Sequence, residues 1–164
     1  MDFKLYSISQ SGLFFPKFEI EHNGEIVASV KKKGIGPFSA YVFYSSLGIP
    51  YMKIKRKTAF FKFKFEIQLN GVWYADVSQD KGFGKNHFRL DSAHDSYNVE
   101  GNIFMKDFTV LEGNEEIAKI SRKSFKRKDK YGVAMKGTAN EHLILAITIV
   151  FEFIRRIRKA RNSG

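Results

Sequence analysis

The chain has 164 residues, no cysteine and 4 histidines, with 43% hydrophobic and 27% charged side chains. That composition fits one globular domain spanning 1–164 and excludes wholesale disorder, disulfide frameworks, thiol catalysis and cysteine-ligated zinc. The formal net charge is +11, unevenly spread: residues 1–118 hold 15 basic and 14 acidic side chains, and residues 119–164 hold 13 and 3.

The N-terminal stretch Met1-Asp2-Phe3-Lys4 is charged and alternating, without the basic and apolar regions of a signal peptide. A cytoplasmic location is therefore expected. Two-residue alternation, which puts successive side chains on opposite faces of a strand, predicts strands at 2–8, 17–22 and 25–32. In the third, Ile26, Ala28 and Val30 share a face, and Lys31-Lys32-Lys33 closes the run. Strands at 39–45 and 50–57 follow, the latter with Met52 and Ile54 opposite Lys53 and Lys55 and ending in Arg56-Lys57. The clearest alternation is 60–69, where Phe61, Phe63, Phe65, Ile67 and Leu69 oppose Lys62, Lys64, Glu66 and Gln68. Further strands are predicted at 72–78, 86–91, 95–102, 103–111, 115–123 and 130–136. Trp73 and Tyr74 read as barrel packing. Asn23-Gly24, Asn70-Gly71 and Gly113-Asn114 separate alternating runs with residues that tolerate the positive φ of tight turns, and Ser46-Leu47-Gly48 makes a longer connection.

The period then changes. Thr138 and Glu141 fit a capping box opening a helix over 138–161. Its polar positions Thr148, Glu152, Arg155 and Lys159 form one narrow stripe, and every other direction from Leu143 to Ile154 is apolar. Such a helix has to be enclosed nearly all round. With no second long helix to do so, the expected fold is mainly β: a closed antiparallel barrel of about twelve strands around a central C-terminal hydrophobic helix. Leu145, Ile149 and Phe153 should be buried. The apolar run is about 12 residues, roughly 18 Å of helix against a bilayer core of about 30 Å, so no transmembrane span is expected.

The stretch Tyr97-Asn98-Val99-Glu100-Gly101-Asn102-Ile103-Phe104-Met105-Lys106-Asp107-Phe108-Thr109-Val110 resembles the LURP-one-related and tubby C-terminal-like superfamily, where a strand ends at a glycine and the next begins with a basic–acidic–apolar step. Glu116-Ile117-Ala118-Lys119-Ile120-Ser121-Arg122-Lys123 and Asp129-Lys130-Tyr131-Gly132-Val133 are similar to the strands that follow there, and an apolar helix closes the domain. The resemblance implies a twelve-stranded tubby-like barrel around the helix, and the bare domain looks like a small bacterial member. Other members bind phosphoinositides or are phospholipid scramblases. No calcium-ligand cluster of the scramblase kind is evident here, and none of the phosphoinositide-binding residues can be matched.

Catalytic candidates are thin. His94-Asp95 and His87 near Asp91 offer a base and a carboxylate without a nucleophile elbow. Gly34-x-Gly36 and Gly82-x-Gly84 open no helix and read as turns. No catalytic residue, metal site or cofactor is assigned. The basic clusters are better candidates for an anion site: Lys53, Lys55, Arg56 and Lys57 at one strand end, and Arg122, Lys123, Lys126, Arg127 and Lys128, with Phe125 among them, before the last strand. Cations converging at a barrel rim suit an anionic headgroup or a phosphate. The expectation is a monomeric, non-enzymatic binding domain for anionic lipid, peripherally at a membrane, or for a phosphorylated ligand. The rival readings are a solvated loop kept for solubility, an enzyme or small-molecule carrier with a pocket at the barrel mouth, and a weak single-strand nucleic-acid binder. Nucleic acid is disfavoured because the alternation sets Phe61, Phe63 and Phe65 opposite the lysines, on the core side. Whether the helix tail leaves by the same mouth as the Arg122–Lys128 loop stays open at this point.

Overall fold

The computed structural model describes residues 2–12, 15–35, 39–57, 63–79, 87–102, 107–122 and 130–162, with side chains as far as Arg158. Its strands are β1 (Phe3–Ser11), β2 (Lys17–His22), β3 (Glu25–Lys33), β4 (Ala40–Ser45), β5 (Pro50–Arg56), β6 (Lys64–Leu69), β7 (Val72–Gln79), β8 (His87–Ser92), β9 (Ser96–Asn102), β10 (Asp107–Glu112), β11 (Glu115–Ser121) and β12 (Lys130–Lys136), followed by helix α1 (Glu141–Asn162). Each strand pairs antiparallel with its sequence neighbours, and β1 pairs with β12, which closes the barrel. The predicted strands fall in these places. β1 runs three residues further, to Ser11, and β11 stops at Ser121.

Up-and-down order gives the barrel two unlike mouths. Mouth I holds the start of β1, the start of α1 and the tight turns after even-numbered strands. Mouth II holds the connections after odd-numbered strands and the end of α1. The helix enters the barrel at mouth I and leaves it at mouth II.

Three hairpins at mouth I share one pattern at identical spacing: Phe18, Ile20, Ala28, Val30; Phe65, Ile67, Ala75, Val77; and Phe108, Val110, Ala118, Ile120. All twelve side chains are buried. Each hairpin carries a register shift just before its turn, after Ile20, Ile67 and Val110. A bulge adds one residue to one strand, so alternation slips by one beyond it. This overturns two expectations. Ile26 pairs with Glu21 and is 47% exposed, on the opposite face from Ala28 and Val30. Trp73 pairs with Gln68 and is 44% exposed instead of packing in the barrel. Glu116 holds the same position in the third hairpin, opposite Leu111.

Inside, the even strands contribute an aromatic belt toward mouth II: Phe18, Tyr41, Phe65, Phe88, Phe108 and Tyr131, all buried. The helix answers with Phe151 and Phe153. The Phe151 ring lies 4.9 Å from Phe88 and 4.5 Å from Phe108, and that of Phe153 lies 4.8 Å from Tyr41 and 5.1 Å from Phe65. Tilted and edge-on aromatic pairs at these separations add to area burial. Gly101, opposite Phe108, has φ +133°, and a Cβ there would sit 2.6 Å from the Asp107 carbonyl oxygen and 2.7 Å from Phe108 Cα. Close backbone approach under positive φ explains the glycine.

Every residue of α1 from Leu143 to Ile154 is buried, including Leu145, Ile149 and Phe153 as expected. The polar stripe is enclosed as well: Thr148 Oγ1 donates to the Ile144 carbonyl at 2.8 Å, and Glu152 accepts from Arg155 Nη2 at 3.1 Å. The cap differs from the sequence expectation. Asn140, not Thr138, caps α1, accepting from the Leu143 N–H through Oδ1 at 3.3 Å. Thr138 lies two positions before the cap, inside a turn in which the Ala139 N–H donates to the Lys136 carbonyl. Asn140 also donates to the Tyr74 hydroxyl at 2.8 Å and to Asp95 Oδ2 at 3.2 Å, and its N–H to the Tyr97 hydroxyl at 3.4 Å. One residue thus ties the helix start to three places on the wall.

Candidate functional site

The inward face of each odd strand ends, at mouth II, one step above the aromatic belt. Gln10 pairs with Phe18, Lys32 with Tyr41, Arg56 with Phe65, Gln79 with Phe88 and Gly101 with Phe108. Arg122, one residue beyond the Ser121–Gly132 pair, holds the sixth place. Three of the six places in this ring are therefore cations: Lys32, Arg56 and Arg122, all half-buried. The helix leaves through the ring and adds half-buried Arg155, Arg156 and Arg158.

Contacts tie these cations together. The guanidinium carbons of Arg56 and Arg158 lie 5.5 and 5.2 Å from the centre of the Phe63 ring, so one phenyl group serves two cations. Arg155 pairs with Glu152, the one carboxylate between His142 and Asn162. The Nε atoms of Arg155 and Arg156 are buried with no hydrogen-bond partner among the described residues. Burial pushes Tyr41 up to about 12, with Arg156 pulling it down and Glu152 pushing it up. Tyr131 is raised well above its ordinary value by burial, then by Glu152, against Arg155. Helix C-terminal carbonyls favour cations at this place. The mouth is a ring of guanidinium and ammonium donors over an apolar floor, a chemistry suited to oxyanions.

The sequence-predicted site residues divide. Arg56 and Arg122 stand in the ring. Lys53 and Lys55 project from the outer wall of β5, and Lys57 lies 3.3 Å from Asp76 and 3.9 Å from Glu66. Lys123, Lys126, Arg127 and Lys128, with Phe125, lie outside the described residues, as do Phe61, Gly36, Gly82 and Gly84; the flanks Arg122 and Lys130 stand at mouth II. Sequence reading missed Lys32, Arg155, Arg156 and Arg158 as members of one site. The signal that would have joined them is strand parity: a helix following the twelfth strand of an up-and-down barrel must leave by the mouth that receives the ends of β3, β5 and β11.

The outer wall offers less. A depression of about 290 Å³ on β1, β11 and β12 is lined by Leu5, Lys119, Gly132 and Ala134 among others, and is mostly apolar. Another of about 200 Å³ includes His87 and Glu100, whose Nδ1 and Oε1 are 3.8 Å apart, beyond hydrogen-bond reach. Asp91 accepts from Arg89 at 3.0 Å and from Ser96 at 2.9 Å, while Asp95 accepts from Asn140. Both carboxylates weighed as catalytic partners are thus engaged in local structure. Among the described residues no group of three metal-ligating side chains converges, and no helix is long and apolar enough to cross a membrane.

Comparison with the curated proteins finds no match. A solved X-ray structure of a protein from Arabidopsis thaliana superposes with a TM-score of 0.68, covering 92% of this chain and 91% of that one at 15% identity, which establishes a shared fold. The family model for LURP-one-related proteins matches residues 4–152, nearly the whole barrel and most of the helix. The chain therefore belongs to the LURP-one-related family.

Proposed function

We propose that this is a non-enzymatic binding domain that receives an anionic group at mouth II: the headgroup of an anionic membrane lipid, with peripheral attachment to the bilayer, or the phosphate of a phosphorylated ligand. The supporting observation is the convergence of Lys32, Arg56, Arg122, Arg155, Arg156 and Arg158 on the helix exit, half-buried and with Glu152 the one carboxylate that the helix brings to this mouth. Guanidinium forks match phosphate oxygens two at a time, and partial removal from water strengthens each such contact. Lys123, Lys126, Arg127 and Lys128, which follow Arg122 in the chain, add long-range attraction of about 1 kcal/mol per cation near an anionic surface.

Co-sedimentation with phosphatidylserine-containing vesicles, across a salt series, tests the reading. Binding is expected at low salt and should weaken steeply as the Debye length falls from about 10 Å at 0.1 M to about 3 Å at 1 M. Changing Lys126, Arg127 and Lys128 together to Glu should remove most of it, with circular dichroism checking that the variant is folded. A parent protein that binds neither anionic vesicles nor a soluble polyphosphate would sink the proposal.

A further inference from the structure

The two mouths differ in charge and in the apolar residues at their tips. At mouth II, Lys17 pairs across strands with Lys31, a like-charge opposition that the ion pair of Lys17 with Glu19, at 3.4 Å, offsets only for Lys17. Lys33 stands on the same rim, as does Lys130, which pairs with Glu21 at 3.4 Å, and Lys31 and Lys33 also lie over the Tyr44 ring at 5.4 and 5.8 Å. Glu100 and Asp107 are acidic residues on the β9–β10 side of this end, and Glu19, Glu66 and Asp76 pair with Lys17 and Lys57 on the outer wall. At mouth I the like-charge opposition is acidic, Glu112 against Glu115, joined by Asp2, Glu25, Asp95 and Glu116. Lys4 and Lys136 there are paired with Glu141 and Glu115.

Two apolar side chains project from the basic end. Phe15, in the connection between β1 and β2, is 78% exposed, and Ile35, in the connection between β3 and β4, is 88% exposed. These are adjacent tips of the barrel wall, with the Lys17–Lys31 pair on the strands between them. A small phosphorylated ligand has no use for them. A bilayer has: lysines at the headgroup level and apolar tips just below it satisfy both parts of an anionic membrane at once. Mouth I carries exposed apolar residues too, at Ile26, Leu47, Ile49, Val72 and Trp73, but its acidic sector would be repelled by the same surface.

We infer that the domain docks end-on against anionic bilayers, mouth II downward, with Phe15 and Ile35 inserted beside the Lys17–Lys31 pair. This rests on the anion-binding reading of mouth II and commits it to a lipid surface. The chain holds a single tryptophan, Trp73, at mouth I, so it reports which end meets the membrane.

The test uses phosphatidylcholine vesicles with and without phosphatidylserine, and inositol hexakisphosphate as a soluble polyanion. The parent should bind only the anionic vesicles, with Trp73 emission unshifted. F15S/I35S should weaken vesicle binding about tenfold or more, the loss of two buried apolar side chains, while inositol hexakisphosphate binding is unchanged. L47S/V72S should bind vesicles like the parent. Circular dichroism checks that each variant is folded, as expected for exposed positions. The inference is overturned if F15S/I35S binds vesicles like the parent, if L47S/V72S loses binding, or if Trp73 emission moves to the blue on docking. A parent that binds inositol hexakisphosphate but no vesicle overturns the bilayer inference and leaves the anion reading standing. A parent that binds neither overturns both.

Discussion

Tyr41 and Tyr131 lie directly under the cations of mouth II, yet burial outweighs the cations at both and raises their hydroxyls. Tyr51 and Tyr97, nearer mouth I, are likewise pushed up to about 12 by burial, with Glu141 adding at Tyr51 and Asp95 at Tyr97. For a group that is neutral when protonated, a raised folded value means the native state keeps a proton that the unfolded chain releases. Stability is therefore unaffected below pH 10, falls as pH rises from 10 toward 12, and levels off above. Holding Tyr41 at about 12 in place of 10 corresponds to about 2–3 kcal/mol at the top of that window. Absorbance titration near 295 nm should show these tyrosines ionising late and together with loss of the fold. Early, complete ionisation of all 7 tyrosines near pH 10 in a folded protein would contradict the burial.

At the scale of elements, the helix start and the hairpins carry the argument. Asn140→Ala removes the cap and leaves the Tyr74 hydroxyl without its donor, so a loss of about 1–2 kcal/mol is expected, against almost none for Thr138→Ala. Denaturant midpoints of the two variants, compared at equal m-value, measure the difference. Thr138 and Glu141 have capping-box spacing, but β12 needs a turn through Thr138 before the chain can reverse into the barrel. Strand positions were legible because alternation is a local signal imposed by a core on one side and water on the other. The faces of Ile26 and Trp73 were not, because a bulge is a one-residue slip that alternation within a strand cannot reveal. Comparing hairpins would have shown it: Phe18, Phe65 and Phe108 start the same spacing, and Glu116, plainly a surface residue, marks the position that Ile26 and Trp73 share. The candidate site was half legible for the same reason. Arg56 and Arg122 stand out in the sequence as rim cations, whereas the helix arginines can be assigned to neither mouth until the helix has a direction.

For the whole molecule, α1 is the common floor of all twelve strands, so local damage in its centre is global damage. Ile149 is fully buried, and Ile149→Asp places a carboxylate among apolar side chains at a cost of several kcal/mol, a large part of typical domain stability. Loss of far-ultraviolet and near-ultraviolet dichroism should coincide in that variant, with a melting temperature far below the parent's. A folded Ile149→Asp protein with an unchanged melting temperature would refute the enclosed helix. Closure of β1 on β12 has a further consequence, for how such a barrel can change over evolutionary time. Removing or duplicating one strand would make β1 meet a parallel neighbour and send the helix in from the wrong end. Removing or duplicating a whole bulged hairpin preserves both the antiparallel seam and the side from which the arginine tail emerges. Relatives of different barrel size should accordingly differ by strand pairs, with the tail still on the mouth of the longer connections.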